Sequence, residues 1–418
     1  MRRHFAPGAC LGLLLVSACV DQSPVDQSPA QPITIRGCAE ASPPPVAPGG
    51  YYTNGSTVCS ADGTPHLFHG VDRPSMEWGA GEHISAADFQ TMAAWHANVV
   101  RVELNQDFWL AGAALYMSDY QDRVDQVVHF AEAVGLDVIL DLHWSDRGDL
   151  SVTQLQGSGA GNSGQQPMAD VNSQQFWSQV AAKYQSDGHV LFELYNEPHD
   201  ISWQTWLNGG TPNGYPIVGM QALYDTVRAT GANNVVIAGG LSYAFDLSGV
   251  GATPIQGYNV MYATHPYNPQ DSRARFESDF GYLATNDIAP VMATEFGDSS
   301  STCTGDWDRQ LVEFADAHRM SWSAWAWYAG DCKFPALISD WSYTPTVQGD
   351  AVKAALLAYV PDAGGMGASD AGMMDAGATD AATTDAADAD ATDAATTDAA
   401  GADANDAATT DAGGADAG

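Results

Sequence analysis

The chain has 418 residues, with 15 Lys and Arg against 51 Asp and Glu, a formal net charge of -36 at pH 7. Thirteen of the aspartates fall in the last 58 residues, which hold no Lys or Arg; without them the net charge is still -23. Nucleic acid and other polyanions are therefore poor partners, because the folded part would repel them as well.

Residues 1–19 open with Arg2 and Arg3, continue through the apolar stretch Leu11 to Val16 and end on Ser17-Ala18-Cys19. A basic start, a short apolar core and small residues before a cleavage point make a secretory signal, too short to span a bilayer as a stable helix. The ending also resembles a bacterial lipoprotein signal, with Cys19 as the lipidated first residue; a plain signal peptide cut nearby is the alternative. Either way the chain is expected to be exported from a bacterium, as an extracellular protein or a cell-surface lipoprotein. Membrane contact is then expected only through a lipid on Cys19.

Residues 20–50 are rich in Pro, Ser and Gln, include Pro43-Pro44-Pro45 and show no periodic apolar face, so they read as a semi-extended tether. Four cysteines lie beyond the signal: Cys38, Cys59, Cys303 and Cys332. In an exported chain these are disulfide candidates, and sequence order suggests Cys38 with Cys59 and Cys303 with Cys332. Their spacing is wrong for a zinc site, and no metal or cofactor is expected.

Residues 51–360 alternate short apolar runs with longer amphipathic stretches. The runs predict strands at His66 to Val71, Asn98 to Glu103, Asp137 to His143, His189 to Asn196, Asn234 to Gly239, Asn259 to His265, Pro290 to Glu295 and Met320 to Trp327. Helices are predicted at Ala86 to His96, Asp119 to Val134, Ser173 to Gln185, Val218 to Thr230, Arg273 to Ala284, Asp306 to His318 and Val347 to Tyr359. Eight strands with seven helices argue for an α/β fold closed as a (β/α)8 TIM barrel. The stretch Gly240 to Tyr258 is the weak link, since Gly and Pro interrupt it. Residues 361–418 collapse to Asp, Ala, Thr and Gly with loose repeats such as Asp380-Ala-Ala-Thr-Thr, and are expected to be a disordered, solvated tail.

The fourth predicted strand stops on Glu197, locked in front of Pro198. A residue before proline is pushed out of the helical region, and the proline lacks the N–H that a ladder would need, so Glu197 should stand extended where its strand terminates. Polar residues recur at the other predicted strand ends: Arg101, His143, Asn196, His265 with Tyr267, Glu295, and the aromatic Trp325. Barrel enzymes carry their chemistry on that C-terminal rim.

These pieces resemble glycoside hydrolase family 5, the retaining cellulase-type barrels, from about His66 to Tyr359. The matching segments are Val99-Val100-Arg101, Asp141-Leu142-His143-Trp144, Tyr195-Asn196-Glu197-Pro198, Thr264-His265-Pro266-Tyr267, Ala293-Thr294-Glu295-Phe296-Gly297 and Ser323-Ala324-Trp325-Ala326-Trp327, in this order on strands two, three, four, six, seven and eight. Gly70-Val71-Asp72-Arg73-Pro74 departs from the asparagine-containing turn of many members, which leaves the substrate open.

The resemblance implies Glu197 as acid/base and Glu295 as nucleophile of a double displacement, for which the two carboxyls should stand roughly 5 to 5.5 Å apart. It places His265 beside Glu197, Arg101 and the Tyr267 hydroxyl on Glu295, Asn196 on the sugar 2-hydroxyl and His143 in the same subsite. Of the 12 tryptophans, Trp78, Trp109, Trp144, Trp203, Trp206, Trp325 and Trp327 fall in rim segments, where aromatic faces stack on sugar rings. Trp325 is the first choice for the platform at the cleaved sugar, followed by Trp144 and Trp327. The expected protein is a monomeric endo-acting β-glycanase on cellulose or related β-1,4-glucan. β-mannan or another β-glycan is the alternative polymer, and a non-catalytic carbohydrate-binding barrel the alternative of a different class.

Overall fold

The structure, a computed structural model, describes residues 36–38, 44–153, 155, 165–212 and 214–359. The signal segment with Cys19, most of the tether and the acidic tail lie outside the described residues.

Ahead of the barrel, β1 (Tyr51–Asn54), β2 (Thr57–Ser60) and β3 (Pro65–His66) form a three-stranded antiparallel sheet that was not expected from the sequence. A two-residue loop joins β1 to β2, and Gly55 supplies the positive φ of 59° that such a turn requires. The sheet sends Tyr51 and Val58 into an apolar cluster with Phe68, Val99, Ile139, Leu191, Ile237, Met261 and Met292. It thereby plugs the N-terminal end of the barrel.

The barrel strands are β4 (His69–Asp72), β5 (Val99–Asn105), β6 (Asp137–Trp144), β7 (Val190–Glu193), β8 (Val236–Gly239) and β9 (Val260–Thr264). The short β10 (Tyr267–Asn268) follows, then the barrel strand β11 (Val291–Ala293), the short β12 (Gly297–Asp298) and the last barrel strand β13 (Ser321–Ala324). All eight barrel strands are parallel and close in chain order, β13 pairing back onto β4, so the predicted (β/α)8 barrel is the observed fold. Being covered by helices outside and filled inside, they are buried on both faces, which is why they read as apolar runs. The predicted eighth strand was too long: regular pairing ends at Ala324.

The helices are α1 (Ala86–Ala94), α2 (Gln106–Trp109), α3 (Tyr120–Glu132), α4 (Val171–Tyr184), α5 (Trp203–Asn208), α6 (Met220–Ala229), α7 (Tyr282–Thr285), α8 (Asp306–His318) and α9 (Val347–Ala358). Their starts are set by side-chain caps where the sequence allows: the Asp170 carboxylate accepts from Asn172 N at 2.7 Å, and the Thr346 hydroxyl from Gly349 N at 3.0 Å. The single helix predicted over Arg273 to Ala284 is instead a 3-10 turn at Arg273–Arg275, a π segment at Glu277–Gly281 and α7. This irregular path keeps Phe276, Phe280 and Leu283 all in the core. Between β8 and β9 the described chain forms turns and isolated bridges rather than a helix, consistent with its Gly and Pro content.

Part of the stretch expected as a tether is anchored. Cys38 is buried and disulfide-bonded to Cys59, Arg36 pairs with Asp287 at 2.8 Å, and Gly50 donates to Ala47 O at 2.9 Å. Residues 36–38 are thus fastened to the folded part. The second expected disulfide, Cys303 with Cys332, is also formed and links the segments after β12 and β13. Cys38→Ser should cost about 2–4 kcal/mol, read as a lower denaturant midpoint under non-reducing conditions; an unchanged midpoint would mean the N-terminal sheet contributes little to the stability measured.

Candidate active site

Strand alternation builds the site. Inside the barrel, Val99, Ile139, Leu191 and Met292 belong to the apolar bottom layer; two residues further along the same faces stand Arg101, Asp141, Glu193 and Thr294. A period of two therefore stacks a polar, mostly ionisable layer directly on the apolar one. Above it, at the strand ends, stand His143, Asn196, Glu197, His265 and Glu295.

Arg101 was expected at a strand end, but it lies inside β5 and is fully buried. It serves five carboxyls, one on each of β4, β5, β6 and β7 and Glu295 just past β11. Its Nε donates to Glu193 Oε2 at 2.6 Å, Nη1 to Glu295 Oε1 at 2.7 Å and to Glu103 Oε1 at 3.3 Å, and Nη2 lies 2.9 Å from Asp141 Oδ2. Asp72 is farther, at 3.9 Å. Nη2 also donates to Asn196 Oδ1 at 2.7 Å, which fixes the amide and turns its Nδ2 toward His143 Nε2, 3.4 Å away.

One guanidinium cannot keep five buried carboxyls ionised. Burial pushes Asp72 and Glu103 well above the carboxylate range despite Arg101. Burial acts the same way on Glu193, but there Arg101 and His265 together win and bring it down to about 2. Asp141 is raised by burial against the opposing pull of Arg101 and His143. Glu77, also buried, is pushed up to about 7 by desolvation and accepts from Ser75 N at 2.8 Å.

Glu295 is held from two sides. Arg101 takes Oε1, and the Tyr267 hydroxyl donates to Oε2 at 2.8 Å. Glu197 has different partners: His265 Nδ1 lies 3.2 Å from its Oε1, and the Gln165 amide donates to Oε2 at 2.5 Å. Burial alone would raise the Glu197 carboxyl, but the His265 hydrogen bond and charge bring it below its ordinary value. Burial would lower His265, yet Glu295, Glu193 and Glu197 hold it up to about 10. The resemblance implies Glu197 as the acid; in this structure its surroundings favour the proton on His265.

One donor atom each of Glu197, His265 and Glu295 lie within 4.8 Å of one another, the one such grouping among the described residues.

His143 Nδ1 lies 2.7 Å from Asp141 Oδ2, and its ring lies nearly parallel to Trp325, centroids 5.9 Å apart at 17°. Trp325 is 9% exposed at the strand-eight end, with Phe334, Tyr328 and Trp78 edge-on in a chain beyond it. Trp144 is half-buried, tilted against His143. Trp327 is not available: at 0% exposure it packs edge-on against Trp95. The chain leaves regular pairing at Ala324, so the alternation that would put Trp327 beside Trp325 no longer holds. Trp109 and Trp206 are likewise core residues.

Sequence reasoning missed Tyr243. It is 49% exposed, lies flat on His199 at 4.2 Å and 9°, and its N–H donates to Pro198 O at 3.1 Å. His199 Nδ1 in turn lies 2.8 Å from Glu197 O. The tyrosine is thus tied to the turn that carries Glu197, although it comes from the segment after β8. Thr294 and Gln165 were also not singled out.

A family model described as Cellulase (glycosyl hydrolase family 5) matches residues 59–331. The chain is 24% identical over 303 residues to endoglucanase MaCel5A of Microbulbifer sp. strain ALW1, covering 68% of this chain and 54% of that protein. It is 23% identical over 288 residues to endoglucanase E-5 of Thermobifida fusca, covering 65% and 54%. The chain therefore spans about half the length of these curated relatives. Among solved structures it resembles the β-glucanase SdGluc5_26A of Saccharophagus degradans in complex with cellotetraose, with TM-score 0.57 and 21% identity over 76% of this chain and 98% of that one. The catalytic domain of Thermobifida fusca endoglucanase Cel5A gives TM-score 0.57 and 19% identity over 74% and 97%. At these identities the structural likeness speaks to the fold.

Proposed function

The chain belongs to glycosyl hydrolase family 5, and on that premise we propose that it is an exported, endo-acting β-1,4-glucanase working by retaining double displacement. The observation that carries the proposal is the carboxylate pair: oxygens of Glu197 and Glu295 within 4.8 Å, each with its own partners. That spacing suits direct attack better than a pair separated by roughly 6.5–9.5 Å, which would leave room for a water between carboxylate and sugar.

Glu295, aimed by Arg101 and Tyr267, attacks the anomeric carbon while Glu197 protonates the leaving oxygen. The glycosyl ester on Glu295 is then opened by a water whose proton returns to Glu197. Asn196, its carbonyl oxygen taken by Arg101, keeps Nδ2 for the sugar 2-hydroxyl, a contact that strengthens in the transition state. Trp325 offers its face to the sugar being cleaved, and Tyr243 offers one on the leaving-group side of Glu197. The two disulfides and the character of residues 1–19 support export, with Cys19 as the lipid attachment point.

A reducing-sugar assay of the mature chain on soluble β-glucan, mannan, xylan and xyloglucan tests the substrate, with β-glucan expected to be cleaved fastest. Glu197→Gln should lower polysaccharide hydrolysis by roughly 10²- to 10⁴-fold. On 2,4-dinitrophenyl β-cellobioside, whose leaving group needs no proton, the kcat/KM of the same variant should stay near wild type. Equal losses on both substrates would remove Glu197 from the acid role.

A further inference from the structure

Glu197 must carry a proton when the glycosidic bond breaks, yet its surroundings draw that proton onto His265. The contacts behind His265 show how the two requirements are reconciled. Its Nε2 lies 2.9 Å from Thr294 Oγ1, and the Thr294 hydroxyl donates to Glu193 Oε1 at 2.8 Å. The other oxygen of Glu193 is taken by Arg101 Nε at 2.6 Å.

Donor accounting fixes the hydrogens. An ionised carboxylate only accepts, and a hydroxyl has one hydrogen to give. With that hydrogen committed to Glu193, Thr294 can only accept from His265, so Nε2 keeps its hydrogen in every protonation state. The nitrogen that titrates is Nδ1, which faces Glu197 Oε1 at 3.2 Å and Glu295 Oε2 at 3.7 Å.

We propose that Thr294 and Glu193 are positioning residues that lock His265 in the Nε2-protonated form, so that its Nδ1 stores the proton which Glu197 delivers to the leaving sugar. The proposal rests on the reading of Glu197 as acid/base. The proton balance closes over the two half-reactions. In the first, the Nδ1–H bond breaks as the Glu197 O–H forms, leaving a neutral imidazole; that proton then passes to the glycosidic oxygen as its bond to the anomeric carbon breaks and the bond to Glu295 forms. In the second, the water oxygen bonds to the anomeric carbon as the glycosyl bond to Glu295 breaks and frees its carboxylate, and the water's proton passes to Glu197, from which it returns to Nδ1.

The charges around the imidazole support storage there. Glu193 and Glu197 face it from the β7 side and Glu295 from the end of β11; Asp271 after β10 acts from farther away, and Asp72 on β4, whose carboxyl burial raises, adds little charge. Arg101 on β5 is the opposing cation, and it is already engaged by Glu193, Glu295 and Asp141. As glycosylation consumes the Glu295 charge, one of the carboxylates holding the proton on His265 disappears, which favours its release toward Glu197 at that moment.

The test compares Thr294→Val, which keeps the shape and removes the hydroxyl, with Thr294→Ser, which restores it. In the valine variant Nε2–H loses its acceptor, so the imidazolium is held less tightly and its proton leaves at lower pH. The basic limb of kcat/KM on soluble β-glucan should then move down by about 1–2 pH units, the equivalent of one hydrogen bond to a charged group. The serine variant should keep the wild-type limb. On 2,4-dinitrophenyl β-cellobioside, where no proton is needed to expel the leaving group, the valine shift should vanish.

A valine variant that loses activity with its basic limb unmoved would reduce Thr294 to a packing residue and overturn the proposal. The wild-type chain supplies a second readout: ¹⁵N NMR of the His265 ring should show both nitrogens protonated at pH 7 and only Nδ1 deprotonating as pH rises. Loss of the Nε2 proton instead would overturn it without any variant. Failure of the acid/base reading itself shows up separately, as equal losses for Glu197→Gln on both substrates.

Discussion

Glu295→Ala should abolish hydrolysis of β-glucan, with kcat lower by roughly 10⁴- to 10⁶-fold, the scale seen when a covalent nucleophile is removed. The loss should sit in kcat rather than KM, because Glu295 forms its bond only as the reaction proceeds and the sugar-binding surfaces around it are untouched. The fold should survive. Arg101 keeps Glu193, Asp141 and Asn196 as partners when Glu295 is gone, so no buried cation is stranded. The Tyr267 hydroxyl loses its acceptor, a cost of about 1–3 kcal/mol that should appear as a modest drop in Tm. Azide added to the variant can occupy the space beside Arg101 and attack from the same face, so the expected product on an activated cellobioside is the α-glycosyl azide. Substantial activity of the variant without added anion would remove Glu295 from the nucleophile role.

That Glu197 and Glu295 could be found in the sequence has a local cause. Pro198 marks the break in the sequence, and although β7 itself ends at Glu193, a backbone bond from Asn196 N to Leu142 O at 3.1 Å keeps the chain beside β6 until one residue before Glu197. The acids that tune the pair were harder to see. Glu103, Asp141 and Glu193 share inward faces with Val99, Ile139 and Leu191, but an acid inside an apolar run reads as the end of a strand, and only barrel closure makes it an interior group. Asp72 registered merely as a departure from the family pattern; in the structure it accepts from the Ser323 hydroxyl, and burial raises its carboxyl well above the ordinary range. Trp327 was misplaced because where the chain leaves β13 depends on a distant contact, Ala326 N to Pro335 O at 3.0 Å, that no local pattern announces. Tyr243 could not be connected to Glu197 because the two come from different connecting segments, and only the fold lays one on the turn of the other.

Arg101→Met should be the most destabilising single change at the site. Methionine fills much of the same volume, so the effect isolates the charge: Glu193, Glu295 and Asp141 would be left in the barrel without their cation, at a cost of about 3–5 kcal/mol at pH 7. The pH dependence identifies the cause. In the wild type Glu193 is held near 2, below its ordinary 4.5, so it contributes stability that is fully present above 4.5 and is lost as pH falls from there toward 2. Without Arg101, burial raises the carboxyls above their unfolded values, and each then opposes folding at neutral pH until acid neutralises it. The stability gap between variant and wild type, from urea unfolding, should therefore narrow between pH 7 and pH 5. A gap that stays constant over that range would trace the loss to packing instead. Arg101→Lys should separate charge from geometry: an ammonium restores a cation, but it cannot reach Glu193, Glu295, Asp141 and Asn196 at once as the guanidinium fork does. Much of the stability should return with lysine while activity stays low, because Glu295 and Asn196 need the fork to be aimed at one sugar together.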